Sequence, residues 1–170
     1  STYTEGNLNI SADKTTLMGT GTQADNISIT GKLDNQTNIY AKGNILVGND
    51  TVNTGKLISE KGITVSGNLN TSNVVYGKEL INISGALFNS SDMQSEGNIL
   101  IGLNTTNKGR ILTDNILHIN GTTVNEGTLY GKNKINLNDL TNSGGVQSPG
   151  EITAKTVVNA GKIVGEGSIT

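Results

Sequence analysis

The stretch Ile63-Thr-Val-Ser-Gly-Asn-Leu-Asn-Thr-Ser-Asn-Val-Val-Tyr-Gly-Lys-Glu-Leu80 is one unit of a repeat, and the chain on either side consists of variants of it. Each unit opens with a short apolar pair: Ile27/Ile29, Ile45/Val47, Ile63/Val65, Ile81/Ile83, Ile99/Ile101, Leu117/Ile119, Ile135/Leu137 and Ile152/Ala154, with Ile169 opening one more. The first members stand 18 residues apart down to Ile135 and 17 apart after it. A period this short and strict leaves no room for a helix and defines one coil of a β-solenoid.

Three further columns keep the same step. Ile39, Leu57, Val75, Met93, Ile111, Leu129, Val146 and Ile163 form one. Leu33, Thr51, Leu69, Leu87, Thr105, Thr123, Leu140 and Val157 form another. Two residues beyond these lie Asn35, Asn53, Thr71, Asn89, Asn107, Asn125, Asn142 and Asn159, with Thr71 the one departure. Residues two apart on a strand share a face, so the asparagines point inward with the aliphatic column. A buried amide without partners is costly. Stacked coil upon coil, each amide can bond the next, as in cross-β asparagine ladders. The asparagine column is therefore expected to be structural rather than ligand-binding.

Composition agrees. The chain of 170 residues has 23 glycines, 24 asparagines, one proline, one phenylalanine and no tryptophan. A narrow coil holds one aliphatic side chain per strand, which disfavours aromatics. Three corners per coil favour glycine and asparagine, both of which tolerate left-handed backbone. So polar a composition is also that of disordered chains, but the periodic aliphatic columns argue for a fold. The expected architecture is an all-β, right-handed parallel β-helix, roughly triangular, with about 18 residues per coil, about nine coils and a length of ~40–45 Å. Residues 1–26 read as an irregular first coil, because Leu8 and Ile27 are 19 apart and Met18–Asp25 loosens the pattern. Residues 27–170 read as regular repeats of one domain. The chain opens on Ser1 without a signal peptide and ends with a coil just begun, so it reads as a fragment of a longer protein.

The phrases Ile81-Asn-Ile-Ser-Gly-Ala-Leu-Phe-Asn89, Val124-Asn-Glu-Gly-Thr-Leu-Tyr-Gly131 and Val158-Asn-Ala-Gly-Lys-Ile-Val-Gly-Glu-Gly167 alternate aliphatics with Asn and Gly punctuation. In this the chain resembles, over residues 27–170, the repeat region of the filamentous haemagglutinin family. These are bacterial surface and secreted proteins exported by two-partner secretion, and they include contact-dependent growth inhibition effectors. The resemblance implies a rigid, non-catalytic shaft of a large adhesin or toxin-delivery exoprotein, located outside the cell or on the bacterial surface. It also implies partners: flanking solenoid coils of the same parent chain, an outer-membrane secretion partner during export, and a host-cell or target-cell receptor or glycan. The alternative is a binding module that recognises a host glycan or protein through an exposed solenoid face.

Other chemistries find little support. A net charge of −2 with both signs scattered offers no basic run for nucleic acid. No segment reaches the length of a membrane span, and the absence of cysteine decides little about compartment. Polysaccharide cleavage needs carboxylates converging on one groove. Here Lys42, Glu60, Lys78, Glu96, Asp114, Lys132, Pro149 and Glu166 share one corner, and their mostly alternating signs suggest exposed salt bridges instead. His118 lies between inward residues, so it points outward without a second metal ligand. No catalytic residue, metal site or cofactor is expected. One exposed feature remains. The residue after each core residue of the third strand reads Tyr40, Ile58, Tyr76, Gln94, Leu112, Tyr130, Gln147, Val164. The apolar members Tyr40, Ile58, Tyr76, Leu112, Tyr130 and Val164 form a candidate interaction stripe, with ordinary β-propensity as its plain explanation.

Overall fold

The computed structural model describes residues 2–170. It is a parallel β-solenoid of about nine coils with about 18 residues each, and no helix forms among the described residues. Each regular coil contributes one short strand to each of three faces. In one coil these are Gly62–Val65, Leu69–Thr71 and Val75–Gly77. Every strand pairs in parallel with its equivalents one coil before and after. Ile63 meets Ile45 and Ile81, Leu69 meets Thr51 and Leu87, and Val75 meets Leu57 and Met93.

The repeating columns are the core. Ile27, Ile45, Ile63, Ile81, Ile99 and Ile135 are fully buried, as are Ile39, Leu57, Val75, Met93, Ile111 and Leu129. Burying one such side chain stabilises by roughly 1.5–3 kcal/mol, and the columns repeat that gain on every coil. Strand burial alternates between inside and outside, which fixes the facing of every other residue.

The opening residues fold as a coil too. Asn7–Ile10, Lys14–Leu17 and Thr22–Ala24 supply its three strands, with Leu8 on Ile27, Thr15 on Leu33 and Thr22 on Ile39. The irregularity lies in its corners: relative to the next coil, the corner between Ile10 and Lys14 holds one residue more, that between Ala24 and Ile27 one fewer, and that between Leu17 and Thr22 one more. Gly19 at φ 99° and Gly21 at φ 151° turn that corner. At the other end of the chain, one residue is missing between Leu137 and Leu140. The corner disappears there, and Lys134–Asn142 runs as a single strand joining the first and second faces. Glu151–Asn159 repeats this and pairs with it along its length.

Corners elsewhere are not left-handed. Among the described residues no non-glycine has positive φ, and only Gly6, Gly19 and Gly21 do among the glycines. Glycine is abundant for another reason, which corrects the expectation from composition. Stacked corners bring backbones into close approach: a Cβ on Gly55 would lie 1.8 Å from the Thr37 carbonyl oxygen, and one on Gly127 1.9 Å from that of Gly109.

The asparagine column forms the expected ladder. Nδ2 of Asn35 donates to Oδ1 of Asn53 at 2.7 Å, and Asn89, Asn107, Asn125 and Asn142 donate in turn to Asn107, Asn125, Asn142 and Asn159 at 2.9, 2.8, 2.8 and 2.7 Å. The same amides also cap the adjoining corner: Nδ2 of Asn107 reaches the Gly109 and Thr128 carbonyls, both at 3.1 Å. Asn35 to Asn142 are buried, while Asn159 on the last coil is exposed. Thr71 interrupts the run. Its hydroxyl accepts from Asn53 at 3.0 Å and donates to the Asn73 carbonyl at 2.7 Å. The ladder therefore divides into Asn35–Asn53–Thr71 and Asn89 through Asn159. On the third face the same step between coils is paired only through Val75–Met93 and Tyr76–Gln94.

At a second corner, small inward hydroxyls take the amide's place. Ser59 Oγ donates to the Gly43 carbonyl at 2.6 Å and accepts from Lys61 N at 3.0 Å, and Ser148 does the same with Gly131 and Gly150 at 2.6 and 3.1 Å. The inward threonines of the second face are different. Thr15, Thr51, Thr105 and Thr123 have buried hydroxyls with no hydrogen-bond partner.

Two outcomes follow for stability. Asn107→Leu removes the acceptor of Asn89 Nδ2 and the donor to Asn125 Oδ1, while Asn125 still donates to Asn142, and should destabilise by about 3 kcal/mol, whereas Thr71→Asn joins the two ladder segments and should stabilise by about 1 kcal/mol. Urea denaturation of both variants checks the pair of signs. Thr123→Val replaces an unpartnered hydroxyl by a methyl of similar shape and should raise the melting temperature, with a stabilisation of about 1 kcal/mol; a fall in calorimetry would contradict it.

Candidate functional site

Period-two alternation places one outward column on each face. On the third face the column is continuous in register: Gln23 pairs with Tyr40, then Ile58, Tyr76, Gln94, Leu112, Tyr130, Gln147 and Val164 follow one coil apart. The stripe residues Tyr40, Ile58, Tyr76, Leu112, Tyr130 and Val164 thus lie in one line. They are half-buried rather than exposed, because outward side chains ~4.8 Å apart shield one another. Gln94 and Gln147 are the exposed members of the original set.

The structure extends the stripe by a residue that the repeat pattern did not reveal. Tyr3 pairs with Gln23 and is 63% exposed. All four tyrosines therefore stand in one column, and that column contains no charged side chain. Tyr3 was missed because two corners of the first coil, Ile10–Lys14 and Leu17–Thr22, each carry an extra residue, which takes it out of the 18-residue step. The end of the column opens into a depression of about 410 Å³ bordered by Tyr3, Gln23, Asn38 and Tyr40 together with Thr20 and Thr22.

Tyr76 is held by a neighbour. Its hydroxyl donates to Glu96 Oε1 at 3.3 Å. Partial burial, reinforced by the Glu96 carboxylate and then by Glu60 and Asp114, pushes its pKa above the ordinary tyrosine value. The acidic corner residues thus lie beside the stripe. Glu96 and Asp114 stand on adjacent coils, both exposed to bulk water.

The salt bridges expected within that corner column do not form. Lys42 pairs instead with Asp25 at 3.7 Å. The other ion pairs lie elsewhere: Lys108–Glu126 at 3.9 Å, Lys134–Glu151 at 3.0 Å, and Arg110–Asp92, a two-pronged contact at 2.8 and 2.7 Å. The Arg110 hydrogen bonds pull the Asp92 pKa down. Pairing follows strand register, since Arg110 lies on Asp92 and Lys134 on Glu151. The other two pairs continue that register into corners, since Asp25 and Lys42 follow the paired Ala24 and Ala41, and Lys108 and Glu126 follow the paired Asn107 and Asn125.

His118 does face outward and is half-buried. Asn136 Nδ2 donates to its Nδ1 at 2.8 Å, and its Nε2 bonds Asn120 Oδ1. Thr153 continues this line by donating to Asn136 at 2.8 Å. Among the described residues no group of three His, Cys, Asp or Glu is placed to hold a metal ion. The most exposed apolar strand residues in the interior coils are not on the stripe: Val52, Phe88 and Val124, exposed by 46, 39 and 37%, lie on the outward column of the second face, and Leu46, at 46%, on the first. Alternation signalled their direction, but their chemistry is interleaved with Asn70, Thr106 and Thr141 and forms no uniform line. No family model, curated protein or solved structure matches this chain.

The Tyr76 environment makes a titration testable. Folding holds the phenol proton more tightly than the unfolded chain does, so this contribution to stability is present at neutral pH and fades as pH rises through the raised value. Glu96→Gln should move the Tyr76 titration part of the way back toward the ordinary tyrosine value, because burial, the larger cause, remains. Phenolate absorbance, taken as the difference from Tyr76→Phe, reads the shift.

Proposed function

We propose that the chain is a rigid, non-catalytic shaft segment of a large exported bacterial surface protein, an adhesin or toxin-delivery exoprotein of the filamentous haemagglutinin kind. One observation carries this reading: strand register, buried columns and the asparagine ladder all run parallel to a single axis through about nine coils. Such a rod is built to span distance. Its inward positions are occupied by aliphatic side chains, by asparagines and serines that bond one another or the backbone, and by threonines of which four have unpartnered hydroxyls, which leaves chemistry to its outer faces. A fold of parallel coils, each stacking on the last, also suits a chain that emerges from a secretion partner in one direction and folds progressively.

A second reading is favoured by a separate observation. The four tyrosines share one uncharged outward column, so the rod can also bind a glycan or protein along that face.

Antibody raised against the purified chain tests the shaft reading on bacteria that produce it. Intact cells or their culture fluid should react. Reactivity only after the envelope is opened would refute export.

A further inference from the structure

We infer that the tyrosine column of the third face is a binding track for an uncharged, extended β-1,4-linked polysaccharide lying parallel to the solenoid axis. The inference rests on the second reading above and names its ligand.

The first argument is spacing. Tyr3, Tyr40 and Tyr76 stand two coils apart in continuous register through Gln23 and Ile58. Two coils measure ~9.6 Å, close to the length of one disaccharide in an extended β-1,4-linked chain. Successive disaccharides would therefore place a pyranose ring over each of these three tyrosines, while Tyr130, three coils beyond Tyr76, falls outside the repeat. The second argument is charge. The column holds no Asp, Glu, Lys, Arg or His from Tyr3 to Val164. The depression at its end is bordered by tyrosine, amide and hydroxyl groups alone. A sulfated or uronic-acid polymer would find no cation there, whereas a neutral sugar finds ring faces for its C–H groups and amides for its hydroxyls. The third argument is order. Tyr40 and Tyr76 are half-buried, and the Tyr76 hydroxyl is tethered to Glu96, so little side-chain freedom remains to be lost on binding. The exposed amides of Gln94 and Gln147 continue the polar contacts farther along the same line.

The depression is the strongest subsite. Tyr3, Gln23 and Tyr40 succeed one another in register along it, and Asn38 also borders it. A second copy of the chain is the competing occupant, and it is distinguished by experiment.

The test is electrophoresis of the chain through gels containing hydroxyethyl cellulose, with titrations of cellohexaose and chitohexaose in solution. The wild-type chain should be retarded and should bind at least one of the two hexasaccharides. Tyr3→Ser with Tyr40→Ser should weaken binding at least about tenfold, and Tyr40→Phe should hold it within about twofold. Both side chains lie outside the core, and unchanged melting curves verify that the variants are folded. Absence of retardation and of binding to both hexasaccharides overturns the inference, as does a double serine variant that binds normally. If Val52→Ser with Phe88→Ser abolishes binding instead, a binding face exists but is not this one. If the wild type ignores the sugars yet sediments as a dimer that the double serine variant dissolves, the column is a self-association surface and the sugar assignment is wrong. If neither sugars, nor other glycans on an array, nor a second copy bind, the second reading falls along with it.

Discussion

Everything in this molecule depends on parallel, in-register stacking: each residue meets, one coil away, the residue that occupies its own place in the repeat. Under that constraint a side chain must be compatible with itself. Ile63 lies between Ile45 and Ile81, and Asn107 between Asn89 and Asn125. Aliphatic groups satisfy the requirement by shape. Asparagine satisfies it by carrying a donor and an acceptor on one planar amide, so identical neighbours are complementary. A serine or threonine hydroxyl in the same column has a single proton to give. Thr71 spends that proton on the Asn73 carbonyl and passes nothing to Asn89. The ladder is thus a direct reading of amide chemistry, and its one gap is a direct reading of the hydroxyl's.

Much of this was legible in the residues, because period 18 exposes columns that no shorter window would reveal. Inward and outward facing followed from alternation, and the inward asparagines from their separation of two from Leu33, Leu87 and Leu140. What stayed hidden was whatever depends on the path of the corners. The abundance of glycine was read as left-handed turning, yet Gly55 and Gly127 are there because a neighbouring carbonyl leaves no space for a Cβ. Lys42, Glu60 and Lys78 share a period, yet Lys42 pairs with Asp25 of the coil before rather than with Glu60. Tyr3 was hidden by two extra residues, one at the corner after Ile10 and one at the corner after Leu17. The half-burial of the tyrosine stripe was not legible either, because shielding by the coils above and below is a property of packing rather than of sequence.

The threonines of the second face show how far the core tolerates imperfection. Thr105 and Thr123 stand on adjacent coils, both buried, and neither hydroxyl is satisfied. Their β-branched shape suits a strand, and the pleated column keeps its form where a leucine alternates with them. Shape is retained here at the expense of polarity. In the asparagine column only two residues away, polarity governs. Two adjacent inward columns of one strand therefore obey different rules, according to how near each lies to a corner whose carbonyls need donors.

The shortened coils carry a consequence for how such a chain changes length over time. Lys134–Asn142 lost a corner residue, and the strand stacked on it, Glu151–Asn159, lost the equivalent one; the two pair residue for residue through most of their span. A coil of one circumference can rest fully only on another of the same circumference. Deletions are thereby inherited from rung to rung, and perimeter becomes a property of a block of coils rather than of a single repeat. A lineage can alter this rod freely by adding whole coils, but it can alter its girth only in runs. The junction at Ile116–Asn125, where the cornered coil meets the straightened strand, is the visible edge of one such run.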